Sequence, residues 1–201
     1  GRCTQSVGLC RVKRHELEEV APGVFVACHL SGILNLLECD GVRKTYVNRR
    51  GIRKEFVRAL NGVSISIREG ETVGLVGETG SGKTTLGMIL SGILDADDGD
   101  VVFQQKNLRE LLESEPKETR MRLQIIFQDA SGSINPRLKV ADVVREPLVV
   151  QGISGGGKVA SKIEEVLREV GLPKSSDFLE RYAYQLSAGE LQRVSLARAL
   201  V

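Results

Sequence analysis

Gly77-Glu78-Thr79-Gly80-Ser81-Gly82-Lys83-Thr84 carries the plainest chemistry in this sequence. It fits G-x-x-x-x-G-K-[ST] at every fixed position, a spacing suited to a polyphosphate. A triphosphate crowds several negative charges together, so many donors must aim at one point. Glycines let successive backbone N–H groups turn inward as a nest. A helix that starts there adds its unpaired N-terminal donors and the positive end of its dipole. Lys83 would reach the β- and γ-phosphates and the Thr84 hydroxyl would hold Mg²⁺, with Thr85 counted in the same cradle.

Such a loop needs a strand to feed it and a helix to follow. Thr72 to Val76 is a short apolar run and reads as the strand. Leu86, Ile89, Leu90, Ile93 and Leu94 recur at helical spacing behind the loop. Upstream, Val63 to Ile67 alternates apolar and polar, the mark of a half-buried strand, and Arg68 to Glu71 is a turn. Downstream, Val101-Val102-Phe103 and Leu123 to Phe127 are further strand candidates, the latter buried. Asn107 to Arg122 reads as helix interrupted at Pro116. The remainder is helical: Val159, Ile163, Val166, Leu167 and Val170 form one apolar face.

The chain has 201 residues, 41% hydrophobic and 27% charged, which excludes disorder throughout. A net charge of +2 gives no argument for nucleic acid. Seven basic residues against Glu55 alone lie between Arg43 and Arg58. No aromatics are spaced there to stack on bases, so a solvated hairpin is the simpler reading. Gly155-Gly156-Gly157-Lys158 imitates a phosphate loop, but no strand feeds it, and Gly152 to Gly157 reads as a link between helices. No stretch approaches the ~18 uninterrupted apolar residues of a membrane helix. The expectation is a soluble, intracellular piece of something longer.

Two more segments say which phosphate-loop machine this is. Tyr184-Gln185-Leu186-Ser187-Ala188-Gly189-Glu190 opens a helix, and Ser187 with Glu190 makes a capping-box pattern. The passage also resembles the LSGGQ signature of ABC ATPases. Gln124 to Asp129, followed by Ser133-Ile134-Asn135-Pro136-Arg137, is similar to that family's Q-loop in its oligopeptide, dipeptide and nickel importer branch. The match is collinear from about residue 36 to the end.

The resemblance implies an α/β fold: a P-loop NTPase with a RecA-like core and β-subdomain. An inserted helical subdomain would span about residues 129–190. Tyr46 would stack on adenine. Gln128 would touch Mg²⁺ and the attacking water, acting with Lys83 in catalysis. Ser187 and Gly189 would contact the γ-phosphate held by an opposite subunit. ATP would then be sandwiched between two head-to-tail domains. Ala188 and Glu190 depart from the family's Gly and Gln. The family's apolar strand with its Asp-Glu pair, and a switch histidine, would follow Val201. Without them the 201 residues alone are expected to bind nucleotide weakly and turn over negligibly.

Cys3, Cys10 and Cys28 have no zinc-finger spacing. Gly1 to Leu30 instead resembles the C-terminal tail of ATPases from the same branch, whose cysteines can hold an iron–sulfur cluster. Residues 1–35 are thus expected to be the tail of a preceding ATPase domain and 36–201 a second domain on the same chain. The implied partners are that second ATPase and transmembrane permease subunits, without nucleic acid. The implied place is cytoplasmic, peripheral at the inner face of the cell membrane. The implied role is to energise import of peptides or similar small solutes. A soluble tandem ATPase activating another enzyme, of the methyl-reductase activation type, would use the same motifs, which do not separate the two.

Overall fold

The computed structural model describes residues 6–21, 24–28, 35–50, 53–153 and 156–201. It begins with α1 (Leu9–Val12) and an antiparallel pair, β1 (Glu18–Ala21) and β2 (Val24–Val26). Then come β3 (Asn35–Arg50), β4 (Arg53–Arg68), α2 (Lys83–Leu90), β5 (Asp98–Phe103) and β6 (Lys106–Asn107). The helices α3 (Leu108–Ser114), α4 (Pro116–Arg122), α5 (Val140–Val150), α6 (Gly156–Glu169), α7 (Ser176–Leu179) and α8 (Ala188–Leu200) complete it. The chain divides into two compact units, residues 1–119 and 120–201.

In the first unit the main sheet is antiparallel, in the order β4-β3-β5-β6. The expected hairpin between Arg43 and Arg58 is present, as the distal part of a ribbon with 16 residues in each strand. Its register sets Cys39 opposite Ile65, Val42 opposite Val63 and Tyr46 opposite Val57. Cys39, Val42 and Leu60 are buried with Leu86 and Ile89 of α2, so sheet and helix share one small core. Burial in that core pushes the Cys39 thiol above its ordinary pKa.

The second unit is helical. Val140, Val143, Val144 and Leu148 of α5 meet Val159, Ile163, Val166 and Leu167 of α6 and Val194 and Ala197 of α8. The predicted apolar face of α6 is therefore the buried one. Local caps start its neighbours: the Ser175 hydroxyl accepts from Phe178 N at α7, and Ser187 does the same for Glu190 N at α8. Leu167 is fully buried at the centre. Leu167→Ala is expected to destabilise the protein by about 2–5 kcal/mol, since the surrounding helices collapse only partly into the gap. Urea denaturation reads this directly, and a loss below about 1 kcal/mol would mean the centre is looser than the burial indicates.

Two expected strands do not form. Thr72 to Val76 has no strand assignment, and Val73, Leu75 and Val76 are 39%, 49% and 94% exposed. Leu123 to Phe127 likewise has none, and Ile126 and Phe127 are exposed rather than buried. A strand exists only as one rail of a hydrogen-bonded ladder, and a parallel neighbour arrives from distant sequence. Among the described residues no strand lies alongside either segment. The sheet observed is the antiparallel one.

Candidate functional site

The loop 77–81 is exposed, and α2 begins directly after it. Gly82 is the N-cap, at φ +94°, and offers no side chain to the helix end. Leu86 N donates to Gly82 O at 2.9 Å, closing the first turn. The N–H groups of that turn have no capping side chain, which leaves a donor-rich, positive helix end beside the loop. Gly82 also passes under the hairpin: a Cβ built there would lie 2.4 Å from Ala59 O and 3.0 Å from Leu60 Cδ2. Only glycine meets both demands, the left-handed turn and the close approach.

Lys83 folds back across the loop. Its Nζ donates to Gly77 O at 2.7 Å, Glu78 O at 2.5 Å and the Ser81 Oγ at 3.3 Å. Ser81 N donates to Glu78 O at 3.2 Å, so the loop curls around the ammonium. The result is a cation set in a ring of backbone, next to open helix-end donors. Gly80, at φ +86°, continues the curl, with nothing within 4 Å of where a Cβ would sit. Thr84 is exposed at the helix start, where a hydroxyl can take a hard cation. This donor set fits a polyphosphate with its magnesium.

Tyr46 is brought to the same place. Its hydroxyl and the Thr85 Oγ1 are 3.4 Å apart, across 39 residues of sequence, while the residue is 38% exposed. The position is fixed by groups that sequence reading did not single out. Asp97 Oδ2 accepts from Thr45 N at 2.7 Å, and Asp97 Oδ1 accepts from Lys44 Nζ at 2.7 Å. Lys44 Nζ also donates to Asp95 O at 2.7 Å. The Lys44 hydrogen bond and the Thr45 N–H hold the Asp97 carboxyl below the usual carboxylate range. This clamp secures the strand at the residue before Tyr46. The acidic run Asp95 to Asp98, placed against Arg43-Lys44, was its only sequence signal.

Gln128, Ser187 and Gly189 lie in the second unit, all exposed. Beside Gln128, Asp129 Oδ1 accepts from Ser131 N at 2.9 Å and from Ser131 Oγ at 2.6 Å. These bonds hold its carboxyl below the ordinary range and tighten the turn. The chain after that turn is stitched to the chain before Ser187. Val140 N donates to Arg181 O at 2.9 Å, Ala183 N to Leu138 O at 2.9 Å and Tyr184 N to Pro136 O at 3.2 Å. From α8, Arg198 Nη1 donates to Ser133 O at 2.9 Å. At the helix start the capping box is formed: Glu190 Oε2 accepts from Ser187 N at 2.8 Å and from Ser187 Oγ at 2.6 Å.

Cys10 sits on α1, exposed, and Cys28 follows β2, half-buried, while Cys3 is outside the described residues. Among the described residues no three Cys, His, Asp or Glu side chains gather as a metal-binding set. The expected iron–sulfur set includes Cys3 and so lies partly outside the described residues. No helix among them is long and apolar enough to cross a membrane.

Comparison with known proteins gives one consistent answer. The family model described as ABC transporter matches residues 60–201. The dipeptide transport ATP-binding protein DppF of Lactococcus lactis is 44% identical over 151 residues, covering 71% of this chain and 46% of DppF. The oligopeptide transport ATP-binding protein OppF of Haemophilus influenzae is 35% identical over 150 residues, covering 74% and 45%. The chain thus spans about half the length of the curated relatives it matches. Among solved structures, the dimer of MJ0796, a bacterial ABC transporter cassette, matches with a TM-score of 0.69 at 30% identity. That match covers 82% of this chain and 68% of the other. A post-hydrolysis state of the same cassette, bound to ADP and Pi, matches at 0.68.

Proposed function

Since this chain belongs to the ABC transporter family, we propose that it is the ATP-binding part of a subunit that energises import of peptides or similar small solutes. One observation carries this reading: an exposed loop curled around Lys83 at an uncapped helix start, in a chain similar to peptide transport ATP-binding proteins. Both relatives are named for transport, which favours a transport role over activation of another enzyme.

In this reading the amides of Gly77, Glu78, Thr79, Gly80, Ser81 and Gly82 cradle the phosphates, and Lys83 neutralises the outer two. Thr84 holds magnesium and Thr85 closes the cradle. Tyr46, secured by the Asp97 clamp, offers its exposed ring to the adenine. Gln128 orients the attacking water and contacts the metal. When bound, ATP with its magnesium supplies the anhydride bond that this water breaks. Ser187 and Gly189 complete the site of an opposite ATPase domain, head to tail. We assign that opposite domain to the same polypeptide, preceding this one, with residues 1–35 as its tail. Permease subunits would dock the pair at the inner face of the cell membrane.

Gln128→Ala tests the arrangement in the natural protein reconstituted with membrane partners. Nucleotide affinity should stay within about twofold while transport-coupled turnover falls by more than about tenfold. Filter binding and phosphate release separate the two quantities. A large loss of binding would show that the loop at Gln128 has been given the wrong role.

A further inference from the structure

The Ser187 turn is already satisfied by an anion of its own. One carboxylate oxygen of Glu190 takes both the Ser187 N–H, at 2.8 Å, and the Ser187 hydroxyl, at 2.6 Å. In return Glu190 N donates to Ser187 Oγ at 3.3 Å. A phosphate approaching the exposed residues Ser187, Ala188 and Gly189 would seek the same hydroxyl and the same helix end.

We propose that Glu190 is an internal anion that competes with the terminal phosphate for the Ser187 turn, and so sets how much nucleotide is needed to close two ATPase domains on each other. The inference rests on the reading of Ser187 and Gly189 as contacts to a phosphate held by the opposite domain. Its warrant is the shared donor. The Ser187 hydroxyl cannot remain on the carboxylate at 2.6 Å and also serve an incoming oxygen, so one acceptor displaces the other.

The competitor is charged at neutral pH. The hydroxyl and N–H of Ser187, with Arg181 and Arg193 nearby, hold the Glu190 carboxyl below the usual range. Those two arginines offset part of the repulsion; the Arg193 guanidinium lies beside Gly189. A glutamine at this position keeps the reciprocal cap, since Gln serves at N3 of a capping box as well as Glu does. It removes only the charge.

Glu190→Gln is therefore the informative variant. It is made in the natural protein, with a distance-sensitive fluorophore pair reporting approach of the two ATPase domains. The probe ligand is a magnesium-loaded, non-hydrolysable ATP analogue. Half-saturation of domain closure should fall about three- to tenfold, the range of one charge at a helix end. Affinity for magnesium-loaded ADP at the Gly77–Thr84 loop, which brings no terminal phosphate to the Ser187 turn, should be unchanged. Glu190→Ala, which loses cap and charge together, separates helix stability from charge when its melting is compared. Equal or higher half-saturation for Glu190→Gln, with unaltered melting, overturns the inference and leaves the sandwich reading standing. Absence of closure in both proteins overturns that reading and the inference with it.

Discussion

Replacing Lys83 by alanine is expected to weaken ATP binding by more than about tenfold, the equivalent of a charge-assisted contact of roughly 1.5–3 kcal/mol. Two effects act together. The variant loses the positive charge that faces the outer phosphates, and it loses the bonds to Gly77 O, Glu78 O and Ser81 Oγ that hold the loop curled. The first dominates. The loop carbonyls are exposed, so water replaces the ammonium there at little cost, whereas no other basic side chain lies within the loop. Lys83→Arg sharpens the distinction. It keeps the charge, but a rigid planar fork does not fit two carbonyls and a hydroxyl converging on one point. Its affinity should fall between those of wild type and Lys83→Ala. Titration with a fluorescent nucleotide measures all three proteins, and equal affinities would overturn the phosphate cradle.

Gly82→Ala should be costly for a different reason. The residue is left-handed at φ +94°, which an L side chain adopts at a penalty of about 1–2 kcal/mol. In addition its Cβ would sit 2.4 Å from Ala59 O, a backbone atom of β4 that no side-chain rotation can clear. Either the hairpin shifts or the first turn of α2 unwinds. The expected total is about 2–5 kcal/mol of stability, with nucleotide binding lost in proportion to the displacement. Gly80→Ala is the matched comparison: it is also left-handed, at φ +86°, but nothing lies within 4 Å of the added atom. It should cost only the conformational penalty, about 1–2 kcal/mol. Denaturation curves that rank the two equally would mean the close approach of loop and hairpin does not persist in solution.

What could be read from the sequence was local, and what could not was non-local. The start of α8 was legible because its cap is made by residues three apart, Ser187 and Glu190. The buried face of α6 was legible because its period is written into fourteen consecutive residues. The loop 77–84 declared itself by fixed spacing. Thr72 to Val76 misled because an apolar run states a preference for sheet without supplying the neighbour that makes one. Leu123 to Phe127 misled in the same way. The meeting of Tyr46 with Thr85, and the clamp of Asp97 on Thr45 across 52 residues, follow from how the ribbon is laid down. No window of sequence contains them.

The stitching of residues 136–140 to 181–184 has a consequence for how this part of the molecule can vary. Helices α5, α6 and α7 form an excursion whose two ends are fastened together at its base. Turns within that excursion can gain or lose residues while its base stays fastened, because the bonds that close it lie at its two ends.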